Sequence, residues 1–269
     1  MPLTFPPHAA AVLPLKLSRP RWFDGVALVA GSTAPDLPYA AGAPLATYGH
    51  TWTGLVVWGV PLSVTAALLI RWSAPVAAAH LPGWWREYGV LGSVRHPWYV
   101  TVSSAWLGAV THRLWDDVTH DQLPGTTVGF AALGHNAAAG VPWWIVLHTA
   151  SSAAGLAGWI WATVRIGRHG LLHRWHGPPP LVTPRPALWW TTVSATAAAA
   201  TALAALLPSG DIPIVLGTRL LAVPAAAFAV GAAVVRLATR NRPPGPAEPT
   251  GPAEAPRRDK PPEPRPGVA

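Results

Sequence analysis

The sequence predicts an all-α integral membrane protein, with about five transmembrane helices, short interfacial helices before them and a disordered proline-rich tail after them. Its composition is the first reason, because only 11% of the 269 residues are charged and 51% are hydrophobic. In ordinary soluble domains, about a quarter of the residues are charged. The second reason is that the apolar residues lie in long uncharged segments, which are typical of membrane-spanning helices.

Five apolar segments predict the transmembrane helices. They are residues 51–70, 97–111, 137–164, 186–210 and 220–235. A helix needs about 20 residues to cross the hydrocarbon core. The second segment therefore has to continue beyond Thr111, and the fifth has to extend back to Ile212 across Arg219. Pro61 and Pro224 lie inside segments and are expected to kink them.

The regions on either side of these segments differ from them in composition. Residues 1–50 contain two apolar stretches, 5–17 and 22–34, which are too short to cross a membrane and predict interfacial or re-entrant helices. Residues 51–236 would form the transmembrane bundle. Residues 237–269 are rich in proline and in charges of both signs, and we expect a disordered tail there.

The distribution of Lys and Arg predicts the orientation in the membrane. Basic residues follow the first and third segments and fill the tail, whereas residues 117–142 and 208–213 have none. By the positive-inside rule, the tail is cytoplasmic and the N-terminus lies outside. Lys16, Arg19 and Arg21 argue against this orientation. The net charge of +8 reflects this topological pattern, so we expect a lipid bilayer and no nucleic acid as the partner.

A polar stripe closes the second segment. His112, Asp116 and His120 are spaced i, i+4 and i+8, so a continuous helix would place all three on one face. The chain has no Cys, which excludes thiolate ligands and a cysteine nucleophile. Imidazole and carboxylate are the remaining ligands for a divalent metal. A solvated helix end would not need this spacing, so the stripe favours a metal or catalytic role.

Further polar residues collect on the predicted outer side. They are His8, Asp36, His50, Asp117 and His148. Each has an ordinary alternative role. His8 suits an interfacial histidine, Asp36 a turn or helix cap, and His50 a helix start. Asp117 suits a solvated carboxylate, or one that orients a ligating His.

Several of these motifs, in this order, resemble an uncharacterised bacterial membrane family, domain of unknown function 4184. The motifs are His8 to Leu15, Ala34-Pro35-Asp36, Gly49-His50-Thr51 and His112 to His120. The resemblance covers about residues 1–235 and implies the inner membrane of a bacterium. The chain departs from the pattern at Gly49, where a small hydroxylated residue is expected. The family has no established activity.

A weaker resemblance connects the chain to inner-membrane metal-dependent hydrolases and to helical zinc phospholipases and nucleases. Those proteins use a His-x-x-x-Asp/Glu pair, which His112 and Asp116 match. The resemblance implies His8, Asp36, His50 and His120 as the remaining metal ligands.

The expected function is that of a metal-dependent hydrolase with a His/Asp site at the outer membrane face. One or two divalent ions, Zn²⁺ or a similar metal, would activate water against an ester or phosphodiester of a lipid or lipid-linked substrate. Asp117 would be a general base or would orient a ligand. Arg113 and Arg219 would hold an anionic head group, or Arg219 would simply reach towards the interface.

The alternative is a non-enzymatic membrane protein that binds metal, transports a solute or acts as a scaffold. A transporter should carry polar residues near the middle of several spans. The segments here are nearly free of them, which favours a site at the membrane surface.

Overall fold

The computed structural model describes residues 5–42, 48–120, 131–138, 140–208 and 213–240. Most of these residues are helical. The α-helices are α1 (Phe5–Ser18), α2 (Gly25–Gly31), α3 (Trp52–His80), α4 (Trp98–Thr119), α5 (Trp143–Arg168), α6 (Leu171–His176), α7 (Pro186–Leu206) and α8 (Pro213–Arg240). Helix α3 includes a π-helical turn at Leu55–Gly59. Three segments are 3-10 helices: Ala34–Ala41, Gly83–Ser93 and Ala131–Gly134.

A short antiparallel hairpin interrupts the helical architecture, so the prediction of an all-α fold holds only in the main. Strand β1 (Asn136–Ala138) pairs with β2 (Val141–Pro142) just before α5. At the other end of the chain, α8 continues through Arg240. The predicted disordered tail, residues 237–269, thus begins within this helix. Its residues from 241 onward lie outside the described part.

Among the described residues, three helices are long and apolar enough to cross a membrane. They are α3, α5 and the segment Val215–Arg240 of α8. The first of them runs past the predicted end at Ile70 and through Arg71 to His80. Helices α4 and α7 are also 22 and 21 residues long, but they do not reach the same combination of length and hydropathy. A membrane protein is therefore supported, and five crossing helices stay a prediction.

The N-terminal helices pack against the long helices. In α1, Ala9 and Val12 are fully buried, and the helix lies against α5 and α2. Helix α2 lies on α4 at backbone contact distance, because a Cβ added at Gly108 would come within 2.3 Å of the Leu28 carbonyl oxygen. Only glycine permits so close an approach. This contact brings the end of α2 beside the last turns of α4.

The two ends of the bundle differ in chemistry. At one end, the last turns of α4 pack against the segment before α3, and His112 contacts His50 there. We call this the cluster end. At the other, the basic end, Arg71 of α3 binds Asp24, which also accepts a hydrogen bond from Thr101 in the first turn of α4. Thr101 and Asp116 are about 22 Å apart along α4, at 1.5 Å per residue.

Candidate metal centre

Four side chains that can bind metal converge at the cluster end. They are Asp36, His50, His112 and Asp116, and each offers one ligand atom within 4.8 Å of the others. All four are buried, with exposed fractions of 7% or less. They come from a 3-10 helix, the approach to α3 and the end of α4, so separate elements build the site.

The distances within this group match those around one metal ion. His112 Nε2 lies 3.0 Å from Asp116 Oδ2, and His50 Nε2 lies 3.1 Å from Asp36 Oδ1. The two histidine Nε2 atoms are 3.4 Å apart. A first-row ion with bonds of about 2.0–2.2 Å holds its tetrahedral ligands roughly 3.3–3.6 Å apart. The four groups are therefore already spaced as ligands of a single ion, without a large movement.

The backbone orients one of the two histidines. His112 Nδ1 lies 2.8 Å from the carbonyl oxygen of Ser32. Because a carbonyl only accepts, Nδ1 carries the proton, and Nε2 of a neutral ring presents a lone pair to the Asp116 and Asp36 carboxylates. That arrangement requires either a second proton or a cation between them. Histidine ligands of metals characteristically donate their other N–H in this way.

The charges of the group are strongly coupled to one another. Burial lowers the pKa of His50, but its hydrogen bonds with Asp116 and Asp36 outweigh burial and raise the pKa to about 9. Burial raises the pKa of Asp36, but His112 and His50 outweigh it and hold the pKa below its ordinary value. Without a metal, the group is thus an imidazolium–carboxylate network; a divalent ion would replace its protons.

His8 adds a third imidazole beside this group. Its ring stacks on that of His112 with centroids 3.9 Å apart, and its Nε2 lies 3.5 Å from Asp116 Oδ1. Burial, together with the charge of His112, lowers the pKa of His8 to about 3, so its ring is neutral. Within the described residues, His8 Nδ1 and Asp116 Oδ1 are buried without a hydrogen-bond partner. Such atoms fit a site that takes a further ligand.

His120 does not continue the helical stripe as expected. Helix α4 ends at Thr119, and His120 has extended backbone angles, with φ −131° and ψ 145°. Its Nδ1 lies 3.5 Å from Asp116 Oδ1 and 3.1 Å from the Thr119 hydroxyl, and its ring meets that of His148 edge-on. His120 therefore lies at the rim of the group rather than in it.

Two other predicted residues have protein partners. Asp117 forms a buried ion pair with Arg113, one helical turn away, and is not among the four converging groups. Arg219 donates to the carbonyl oxygens of Ala40, Leu207 and Pro208. Arg219 thus ties the 3-10 helix to the connection before α8.

The departure from the family pattern at Gly49 has a steric cause. A Cβ at this position would lie 2.3 Å from the carbonyl oxygen of Pro35. The glycine therefore lets the His50 segment pack directly on the segment that carries Asp36. Thr51 follows and caps α3, because its hydroxyl accepts a hydrogen bond from the Gly54 N–H at 2.9 Å. His50 thus both precedes a helix start and joins the group.

Sequence reasoning missed the Ser32 carbonyl. It is a backbone group, so no pattern of side chains in the sequence marks it. The close contacts of glycines between α2 and α4 indicate its position, but only after the packing of these helices is known.

Comparison with known proteins gives a family and no activity. The sequence model of a family described as a domain of unknown function (DUF4184) matches residues 1–240. No curated protein and no solved structure matches the chain. The resemblance to metal-dependent hydrolases accordingly stays a prediction.

Proposed function

The chain belongs to the DUF4184 family, and from the chemistry of its buried site we propose that it is a membrane-embedded, metal-dependent hydrolase. The observation that carries this proposal is the orientation of His112. Its Nδ1 proton is committed to the Ser32 carbonyl, and its Nε2 faces two carboxylates and a second imidazole. These groups and distances suit Zn²⁺ or a similar divalent ion.

The ligand set allows chemistry if three of the four groups bind the ion or if the ion is five-coordinate. A closed structural zinc site usually takes its four ligands from Cys and His, whereas a catalytic site has three protein ligands, often including a carboxylate, and keeps a position for water. Here the oxygen Asp116 Oδ1 and the neutral ring of His8 adjoin the four groups. When bound, a divalent ion would lower the pKa of a water molecule and polarise an ester or phosphodiester. A second ion beside Asp116 Oδ1 is part of the same hypothesis.

The protein's own residues would set the electrostatics of the reaction. Asp36 and Asp116 place two negative charges in a buried site, which favours a divalent cation and holds it against competition from water. His8 would orient the substrate or a water molecule through Nε2 or Nδ1. Asp117, paired with Arg113, would stabilise the last turns of α4.

The location supports an amphiphilic substrate. The group lies where α3 begins and α4 ends, and exposed apolar side chains such as Trp52 and Trp115 lie on the same turns. By the positive-inside rule, the distribution of Lys and Arg favours an outward-facing position for this end. We therefore propose a lipid or lipid-linked ester or phosphodiester of the outer leaflet as the substrate.

The test is turnover by purified, zinc- or manganese-loaded protein in mixed micelles of phosphatidylglycerol. Release of fatty acid reports ester hydrolysis, and release of a phosphorylated head group reports phosphodiester hydrolysis. We expect one product from the parent and from the His173→Ala control, whose side chain is exposed and distant from the site. We expect none from Asp116→Asn.

Parent protein that binds metal but releases neither product, from phosphatidylglycerol or from a panel of other phospholipids, would overturn the proposed hydrolase activity. It would favour the metal-binding alternative. Equal activity in Asp116→Asn would remove the site itself from the reaction.

A further inference from the structure

A cavity lies at the basic end, away from the candidate metal centre. Its volume is about 700 Å³, which is within the range of small-molecule sites. It lies between α3, the start of α4 and the end of α8. The polar side chains that line it include Arg71, Arg95, His96 and Arg236.

The cavity is strongly cationic. Three arginines line it, and no Asp or Glu does so among the described residues. A carboxylate close to the cavity, that of Asp24, binds Arg71 and Thr101. The Nε atoms of Arg71 and Arg236 and the Nε2 atom of His96 are buried without a hydrogen-bond partner in the part of the chain that the structure describes. The two arginine Nε–H groups are buried donors and call for an acceptor.

The guanidinium groups are held in place before any ligand arrives. Arg236 lies over the Trp72 ring, 5.2 Å from its centroid, and donates to the Trp72 carbonyl at 2.7 Å. Arg95 donates to the Gly92 carbonyl at 3.0 Å. Fixed, forked guanidinium donors suit the oxygens of a phosphate group.

The rest of the lining is apolar and continues onto the outside of the bundle. Leu68, Trp72 and Trp98 line the cavity and are also 58%, 42% and 76% exposed. Leu68 and Trp72 belong to α3, one of the helices fit to cross the membrane. A ligand with an anionic head among the arginines and an apolar part along these side chains would satisfy both surfaces.

We propose that this cavity binds the phosphate head group of an anionic membrane phospholipid, with its acyl chains along α3 and α4. Arg71, Arg95 and Arg236 bind the phosphate, and Trp72 and Trp98 contact the glycerol and the first part of the chains. This site is separate from the metal centre, because Thr101, which lines the cavity, is about 22 Å from Asp116 along α4. It does not depend on the proposed hydrolase activity.

The test is a titration of purified full-length protein with phosphatidylglycerol, followed by native mass spectrometry in the presence of EDTA, so that metal-dependent turnover plays no part. We expect one tightly bound lipid. The double variant Arg95→Gln/Arg236→Gln should bind it at least about tenfold more weakly, since each hydrogen bond to a charged group is worth a tenfold change or more. The matched control is Arg174→Gln, which changes an exposed arginine of α6.

Two further ligands identify the source of the phosphate. Diacylglycerol with the same acyl chains lacks the phosphate and should not occupy the site. Glycerol phosphate lacks the acyl chains and should not displace the lipid at equal concentration. Displacement by glycerol phosphate would overturn the lipid in favour of a water-soluble phosphate compound.

Unchanged lipid affinity in the double variant, or an equal loss in Arg174→Gln, would overturn the site. If the double variant does not fold, Arg95→Gln carries the test alone. Its side chain is exposed and bonds only to neighbouring carbonyls, so this variant should keep the melting temperature of the parent.

Discussion

The rings of His8 and His112 stack with their centroids 3.9 Å apart, although one lies in α1 and the other in α4. The contact makes the N-terminal helix part of the candidate metal centre. It has two components that can be separated. One is the packing of two flat rings, and the other is the position of His8 Nε2, 3.5 Å from Asp116 Oδ1.

We expect His8→Phe to separate these components. Phenylalanine keeps a ring against His112 but has no nitrogen, so the melting temperature should stay near that of the parent. Metal affinity should fall about 10–100-fold, as for other groups that support a metal site. His8→Ala should lose both affinity and stability. Thermal unfolding and metal titration check this, and full metal affinity in His8→Phe would restrict His8 to packing.

Asp117→Asn should affect folding more than metal binding. The substitution leaves the buried Arg113 without its charged partner, and breaking a buried pair costs about 3–5 kcal/mol. We therefore expect a clear drop in melting temperature with an unchanged metal-to-protein ratio. If Asp117 is instead a general base, as its sequence position suggested, kcat would fall while the melting temperature stayed constant.

Asp24→Asn should destabilise the basic end in a pH-dependent way. Burial raises the pKa of Asp24, but its hydrogen bonds with Arg71 and Thr101 outweigh burial and hold the pKa below its ordinary value of 3.8. A lowered pKa in the folded state gives stability that is present above pH 3.8 and is lost as the pH falls through the folded value. The stability gap between parent and Asp24→Asn should be widest near pH 6 and narrow in acid. A gap that does not change with pH would contradict the assignment.

Gly108→Ala should weaken the contact that places the Ser32 carbonyl beside His112. The new Cβ would lie 2.3 Å from the Leu28 carbonyl oxygen, so α2 has to move away from α4. We expect a loss of about 1–3 kcal/mol, as for other overpacked sites, together with weaker metal binding. The matched control is Gly158→Ala in α5, whose Cβ would meet Ala10 at an ordinary 3.7 Å. Because alanine favours helix over glycine, the control should be as stable as the parent or more so.

The local features of the site could be predicted from the sequence, because helical spacing alone places His112 and Asp116 on one face. The apolar segments 51–70, 137–164 and 220–235 likewise predict long helices, which the structure has at Trp52–His80, Trp143–Arg168 and Pro213–Arg240. Helical spacing predicts His120 on the same face as His112 and Asp116, but α4 ends at Thr119 and His120 has extended backbone angles. No side chain at the end of α4 marks this helix stop in the sequence.

The long-range features could not be predicted from the residues alone. Nothing near Ser32 in the sequence points to His112, and nothing near Asp24 points to Arg71; both contacts depend on how α2 packs into the bundle. The same holds for the cationic cavity, since its arginines come from three separate segments and were explained by topology. Asp36 and His50 were assigned as ligands from the resemblance to metal-dependent hydrolases. The close packing at Gly49 brings their segments together.

Metal content tests the central claim most directly. Detergent-purified parent protein and the His173→Ala control, reconstituted with zinc or manganese and freed of excess ion, should hold one or two equivalents by elemental analysis. His112→Ala and Asp116→Ala should each hold less than a tenth of the parent's metal, with folding checked by circular dichroism. Parent protein that stays metal-free after reconstitution would contradict the account, and the four groups would then be a buried network of protonated histidines and carboxylates.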